Sequence, residues 1–266
     1  QTLASLDHFY YYLEDSKIKN NSLTKSLHEF LKEVRKNKNP IDNQKYYDNI
    51  MFYLVKTGNF KLNYENSADE LLSCIIKELF DEELNFKNIK VDSFENMSFQ
   101  VFEKIRLGSE IFRLFGLAQY KENISITLSV FSPGYTKIGE SIMKFYQGKD
   151  KNFVPDWSET LFLEWPQYIF IAYTSDCLKT HGLKLENEGG VLIEEKKYEF
   201  VSASLYLRSN EGISHYMSLN KREKNFYLFN DEKYHKILPN EAIKTNAEIT
   251  YTVHALVNDI EDLLIK

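Results

Sequence analysis

Cysteine is scarce in this sequence: Cys74 and Cys177 are the only two among 266 residues. Two thiols cannot build a disulfide framework, and their positions match no zinc-ligand spacing. The sequence therefore excludes a disulfide-stapled fold, and we expect neither a bound metal nor a cofactor. Thiols outside a disulfide framework suit a reducing compartment, so we expect an intracellular protein of the nucleus or cytoplasm.

Long hydrophobic runs and an excess of positive charge are also missing. No apolar stretch reaches the roughly 18 residues that a membrane span needs, so we expect no membrane partner. The net charge of −6 argues against nucleic acid as the main partner. With only 5 prolines and 10 glycines, the chain has no Pro/Gly-rich linker, and its length suffices for one large core or two small ones.

One stretch stands out among the features that are present. Residues 212–219 and 226–231 read as two strands around a polar turn at 220–225. Antiparallel pairing around that turn would bring His215 close to Asn230. An Asn or Asp beside a histidine fixes the tautomer and orientation of the imidazole ring. A histidine held in this way is half of a catalytic triad. The alternative is a surface hairpin with an incidental histidine.

The hydrophobic spacing changes along the chain from a helical period to an alternating one. Apolar stripes predict helices in the first third, at residues 3–13, 22–34, 46–56 and 67–84. Alternation then predicts strands at 99–105, 124–130, 159–163, 167–173, 191–193, 198–207 and 247–255, with short helices at 138–146 and 257–265. Helices followed by strands indicate an α+β fold: one domain over 1–266, helical to about residue 90 and β-rich over 91–266.

The hairpin resembles the histidine box of the ubiquitin-specific proteases, which are papain-like thiol isopeptidases. Ser214-His215-Tyr216 corresponds to the family's Gly-His-Tyr, and the aromatic return strand ends in Asn230-Asp231. The resemblance implies a papain-like cysteine protease fold with an N-terminal helical subdomain and a β-rich antiparallel subdomain. In that fold His215 would be the general base, Asn230 its orienter and Asp231 a supporting residue.

Other segments of the family occur in the same order, at residues 67–72, 165–171 and 198–203. By resemblance, four residues become candidates for binding the substrate: Trp165, Ser214, Tyr216 and Glu70. Trp165 and Tyr216 would form walls around an extended tail. Glu70 has an alternative role, because it lies three residues after Ser67 and completes a helix capping box.

The residue that should react is missing. A thiol isopeptidase needs a cysteine at the start of its first helix, where the helix dipole and a nearby imidazole lower the thiol pKa. No cysteine precedes Cys74, and residues 4–13 resemble the cysteine-bearing helix of the compact SUMO-directed branch with Ala4 at the cysteine position. Either Ala4 is an engineered replacement or the protein is a natural pseudo-enzyme. Ser5 as a weak nucleophile and Leu3 as the aligned position are the remaining alternatives.

The resemblance implies a thiol isopeptidase that removes a ubiquitin-like modifier by cleavage after its C-terminal glycine, inactive here through Ala4. SUMO is favoured over ubiquitin, because Ser67 replaces an aspartate that would face a basic tail. The first alternative is a natural, inactive pseudo-protease that acts as a protein-interaction scaffold. The second is an unrelated α+β interaction module. We expect Cys74 to pack in the core, and surface or packing roles for the remaining histidines, His8, His28, His181, His235 and His254.

Overall fold

The structure, a computed structural model, describes residues 2–18, 22–36, 44–58, 68–120, 122–128, 161–172, 190–193, 196–208, 215–231 and 233–257. The chain divides into two compact units. Unit 1 takes the described residues of Leu3–Val130 and Leu161–Pro166, and unit 2 takes Thr2 and those from Gln167 onward. None of the described helices has the length and apolar character to cross a membrane.

Unit 1 is mainly helical. Its described residues begin with a 3-10 turn, Leu3–Ser5, and continue through six helices: α1 (Asp7–Asp15), α2 (Leu23–Lys36), α3 (Gln44–Lys56), α4 (Ala68–Phe86), α5 (Phe99–Gly108) and α6 (Glu110–Phe115). A small antiparallel sheet follows, with β1 (Gly116–Tyr120) between β2 (Ile124–Leu128) and β3 (Leu161–Glu164).

The apolar stripes place the helices as the sequence predicts. On α2, Leu23, Leu27 and Leu31 recur every four residues and are at most 2% exposed. Burying each leucine contributes about 1.5–3 kcal/mol. Ser22 caps this helix, since its Oγ accepts a hydrogen bond from the amide of Lys25 at 3.1 Å. The predicted helix and its predicted cap are both confirmed.

The predicted strand at 99–105 is wrong, because this segment is helix α5. The side chain of Ser98 accepts from the amide of Val101 and starts the helix. Phe102 and Ile105, three residues apart, are buried, whereas Phe99 is 65% exposed. The alternation seen in the sequence was therefore incidental, and helices continue past residue 90 to Phe115.

The described part of unit 2 forms a seven-stranded antiparallel sheet. Its strands are β4 (Tyr168–Ala172), β5 (Gly190–Ile193), β6 (Lys196–Leu207), β7 (His215–Arg222), β8 (Asn225–Asn230), β9 (Lys233–Ile237) and β10 (Glu248–Leu256). The strand order is β4-β10-β6-β7-β8-β9, and β5 pairs with the start of β6. The α+β order of helices followed by strands is confirmed. The predicted helix at 138–146 lies outside the described residues, as does the predicted helix at 257–265 apart from Val257, and β1, β9 and α6 were not predicted.

One face of this sheet forms the core of unit 2. Ala203 pairs with Leu219 and Leu205 pairs with Met217, so the alternating positions of β6 and β7 point to the same side. Residues of later strands and of the segment between β9 and β10 complete the cluster: Phe226, Ile237, Ile243, Ala247 and Ile249. Because the side-chain period of a strand is two, this burial fixes the register of β7 against β6.

His254 is a fully buried histidine in β10. Its Nε2 lies 3.1 Å from the hydroxyl of Thr252, and its ring meets Phe200 edge-on at 5.7 Å. Its Nδ1 has no hydrogen-bond partner among the described residues. Burial disfavours the charged ring and lowers the pKa of His254 to about 3. The protein must therefore fold with this ring neutral.

This burial predicts a loss of stability in acid. The pKa of His254 in the folded protein lies below that of a histidine in the unfolded chain. As the pH falls through 6.5, the unfolded chain therefore binds a proton at His254 and the folded chain does not. We expect His254 to lower the free energy of unfolding by about 1 kcal/mol between about pH 6.5 and 5.5. Urea titrations at both values should show that His254→Leu removes this loss. The exposed His235→Asn is the control and should retain it; an equal loss in both variants would contradict the assignment.

Candidate active site

His215 and Asn230 are brought together by the β7–β8 hairpin. The register pairs Ser218 with Phe229, and a two-residue turn begins at Glu223, whose φ of 54° is left-handed. At the open end, Nε2 of His215 lies 2.5 Å from Oδ1 of Asn230. The predicted approach of these two side chains is therefore present in the structure.

This hydrogen bond selects the form of the imidazole. A carbonyl oxygen such as Oδ1 of Asn230 can only accept, so Nε2 of His215 must hold the proton. In the neutral ring Nδ1 then keeps its lone pair and is available to accept a proton. The His215 side chain is 31% exposed, so the ring is also within reach of a reactant. Chemically, the pair can act as a base and its orienter.

Asp231 lies next to this pair. Its Oδ2 is 3.7 Å from Nε2 of His215, and its side chain is 77% exposed. Its backbone adopts a left-handed φ of 51° directly after β8. At this distance Asp231 adds attraction for a protonated ring without competing for the hydrogen bond that Asn230 makes.

The other predicted site residues lie in several different elements. Ala4 lies in the 3-10 turn of unit 1 and is 4% exposed. Trp165, also in unit 1, is half-buried, and Glu70 is exposed near the start of α4. Tyr216 is 45% exposed and packs against Tyr206, with ring centroids 4.9 Å apart. Ser214 lies outside the described residues.

Arg35, which the sequence analysis missed, holds the turn that contains Ala4. From the last turn of α2, its Nε donates to the carbonyl of Ala4 at 2.8 Å, and its Nη2 meets Oδ1 of Asp7 at 2.9 Å. Its guanidinium also lies 4.0 Å from the centroid of the Tyr10 ring. No sequence signal could reveal these contacts, because Arg35 is 31 residues from Ala4.

Cys74 does not have the surroundings of a nucleophile. It is half-buried on α4, and this burial raises the pKa of its thiol. The positive charge of Lys77 lowers that pKa and the negative charge of Glu70 raises it, and the effect of burial is the largest of the three. A raised pKa keeps the thiol protonated at neutral pH, which fits the predicted packing role. Across the described ranges, no three His, Cys, Asp or Glu side chains lie close enough together to hold a metal ion.

This chain matches known proteins in its fold but not in its sequence. No protein-family model matches this chain, and no curated protein matches its sequence. Solved structures do match: a chain of the Ubp8-Sgf11-Sgf73-Sus1 SAGA DUB module has a TM-score of 0.60 over 97% of this chain, at 13% identity. The PAN2 pseudoubiquitin-hydrolase of Saccharomyces cerevisiae gives 0.61 over 96%, at 12% identity.

This chain has a ubiquitin-specific-protease-like fold. An essential yeast splicing factor also matches, with a TM-score of 0.58 over 96% of this chain at 10% identity. The chain spans 64% of the SAGA chain, 80% of the PAN2 chain and 65% of the splicing-factor chain. The three matches include a DUB module and a pseudoubiquitin-hydrolase, so the shared fold does not by itself specify an active enzyme.

The hydrogen bond to Asn230 predicts a single tautomer for His215. With the imidazole ring in its neutral form, we expect nitrogen NMR to show the proton on Nε2 of His215, because Oδ1 of Asn230 can only accept a hydrogen bond. Asn230→Ala should release the ring into a mixture of tautomers. Asp231→Asn, which leaves the bond intact, should preserve the Nε2–H form. A proton on Nδ1 in the unaltered protein would contradict the arrangement.

The contacts of Arg35 predict its contribution to stability. Arg35→Gln should lower the free energy of unfolding by about 2 kcal/mol, because it leaves the Ala4 carbonyl and Asp7 without their charged donor. The matched control is Arg113→Gln, also in unit 1, whose partner Glu110 is on the surface. That variant should change stability by less than about 0.5 kcal/mol in the same urea titration. Equal losses would show that Arg35 is only another surface cation.

Proposed function

We propose that this chain is a papain-like thiol isopeptidase domain, over residues 1–266, whose nucleophile position is occupied by Ala4. Its substrates would be conjugates of a ubiquitin-like modifier, SUMO first and ubiquitin next, in the nucleus or cytoplasm. His215 would be the general base, with Asn230 its orienter and Asp231 in support. Glu70, Trp165, Ser214 and Tyr216 would contact the modifier.

The observation that supports this proposal best is the hydrogen bond between His215 and Asn230. The bond leaves Nδ1 of His215 with a lone pair, as a general base requires. It occurs at the end of a strand whose register is fixed by the core of unit 2. Its occurrence in a ubiquitin-specific-protease-like fold favours a protease origin over an incidental surface pair.

The proposed reaction needs a cysteine at position 4. The thiol would give its proton to Nδ1 of His215, and the thiolate would attack the carbonyl carbon of the modifier's C-terminal glycine. As the carbon–nitrogen bond breaks, the imidazolium would protonate the leaving lysine amine. Water, deprotonated by His215, would then hydrolyse the thioester and release the modifier as a carboxylate with the thiol restored. With Ala4 the chain would bind and not cleave.

The second candidate is a natural pseudo-protease that serves as a protein-interaction scaffold. Two observations favour it: Ala4, whose side chain is a methyl group, is 4% exposed, and the turn around it is fixed by Arg35. A well-packed alanine there is compatible with a chain that folds and binds without reacting. The PAN2 match is itself a pseudoubiquitin-hydrolase.

Restoring a thiol tests the proposal directly. Ala4→Cys should react covalently with SUMO or ubiquitin that carries a C-terminal electrophile, measured by intact-protein mass spectrometry. His215→Ala in that background should slow labelling by about a hundredfold or more, because the thiol loses its base. Asn230→Ala should slow it less if Asp231 can orient the ring instead.

Cys74 provides the control for this experiment. The Ala4 protein should not label, and Cys74→Ala should leave labelling of the Ala4→Cys protein unchanged. Labelling of the Ala4 protein that disappears with Cys74→Ala would place the reactive thiol elsewhere. Absence of labelling by Ala4→Cys, together with calorimetric binding of a modifier by the Ala4 protein, would instead establish the scaffold function.

A further inference from the structure

Among the described strands, β9 lies at one edge of the sheet in unit 2. It pairs with β8 on one side and with no other described strand. Lys233, Tyr234, His235 and Lys236 are all exposed, and the strand is anchored by the buried Ile237. An exposed edge presents main-chain N–H and C=O groups to which another strand can be added.

Three aromatic rings form a cluster beside this edge. Tyr234 pairs with Phe229 across the β8–β9 hairpin, and Tyr227 lies two residues before Phe229 on the same face. The ring centroids are 5.8 Å apart for Phe229 and Tyr234, and 6.1 Å apart for Tyr227 and Tyr234. Tyr234, at the edge, is 56% exposed. The cluster therefore offers apolar contact area directly next to the open main chain.

Cations flank the aromatic cluster. The guanidinium of Arg222 lies 5.3 Å from the centroid of the Phe229 ring. Lys236 pairs with Tyr227 and so points to the same face. We call these five residues the hairpin face: Arg222, Tyr227, Phe229, Tyr234 and Lys236. The hairpin face has two cations and no carboxylate, although the whole chain has a net charge of −6.

We propose that β9 is a docking edge for an extended acidic segment of a partner protein, which adds to the sheet as a further strand. Main-chain hydrogen bonds along β9 would supply affinity. Side chains of the added strand would alternate between the two faces of the sheet: those on one face would meet the aromatic cluster and Lys236, and those on the other would meet Lys233, so carboxylates on either face have a cationic partner. The hairpin face lies on the opposite side of the sheet from the His215 pair, which the docking edge adjoins at Lys233, opposite Asn230, and the docking edge does not depend on the residue at position 4.

The charge pattern argues against two other occupants. Pairing of β9 with β9 of a second copy would bring Lys233 and Lys236 of both chains together, and like charges facing each other destabilise a strand pair. Single-stranded nucleic acid stacks its bases on open ring faces. Here the three rings are packed against one another at tilts of 33–62°, and nucleic acid would leave the main-chain edge unused.

Fluorescence anisotropy with a defined probe tests the docking edge. The probe is a short labelled peptide in which pairs of glutamates alternate with pairs of valines, so that each face of the added strand carries both kinds of side chain, and it is titrated with the full chain. We expect saturable binding that weakens with salt, and about tenfold weaker binding for Tyr234→Ala and for Lys236→Glu. Amide hydrogen exchange at residues 233–237 should slow when the peptide is bound.

Matched controls separate docking from folding. Tyr47→Ala removes a tyrosine that is 53% exposed on α3, and Lys90→Glu reverses an exposed charge in unit 1. Both should bind the peptide like the unaltered chain. Thermal unfolding should be unchanged in all four variants, because each residue is exposed. If Tyr234→Ala unfolds, Lys236→Glu alone still tests the proposal.

Several outcomes would overturn the docking edge. These are no binding of the glutamate–valine peptide, equal binding of a lysine–valine peptide, and binding that the hairpin-face variants leave unchanged. Preferential binding of oligouridylate, lost in the same variants, would assign the surface to nucleic acid instead. A concentration-dependent dimer that Lys236→Glu strengthens would assign it to a second copy of the chain.

Discussion

Two adjacent carboxylates on α4 fix the starts of two other helices, and the arrangement of unit 1 depends on them. Glu82 accepts from the amides of Leu23 and Thr24 at 2.7 and 3.0 Å, which caps α2 from outside that helix. Glu83, 1% exposed, accepts the hydroxyl of Ser109 and two amides at the start of α6. Buried donors at a helix start need such partners, because an unsatisfied one costs about 1–3 kcal/mol. One turn of α4 therefore positions both α2 and α6.

This constraint extends to the turn that contains Ala4. Glu82 fixes the start of α2, and Arg35 in the last turn of the same helix binds the Ala4 carbonyl. The backbone at position 4 is thus held by contacts that involve no atom of its own side chain. The hydrogen bond that holds this turn therefore does not itself require any particular side chain at position 4.

Periodicity and local turn chemistry made much of this fold predictable. The leucine stripe of α2 and its Ser22 cap follow from nearby residues, as does the hairpin that joins His215 to Asn230. The strand predicted at 99–105 was wrong because the apolar residues of this segment fit both an alternating and a three-residue spacing. The Ser98 cap favours the helix that the structure shows. Contacts between distant residues, such as that of Arg35 with Ala4, leave no periodic signal. Short elements such as α6 and β9 have too few residues to show one.

The β7–β8 register also limits how the hairpin can change in length. Ser218 pairs with Phe229, so His215 and Asn230 are diagonal neighbours on one face of the sheet and not a directly opposed pair. Inserting one residue into either strand would turn one of the two side chains to the opposite face. Extending the turn by equal steps on both strands would keep the faces and move only the tip. Natural variation in this segment should therefore change the number of residues between His215 and Asn230 in steps of two and not of one.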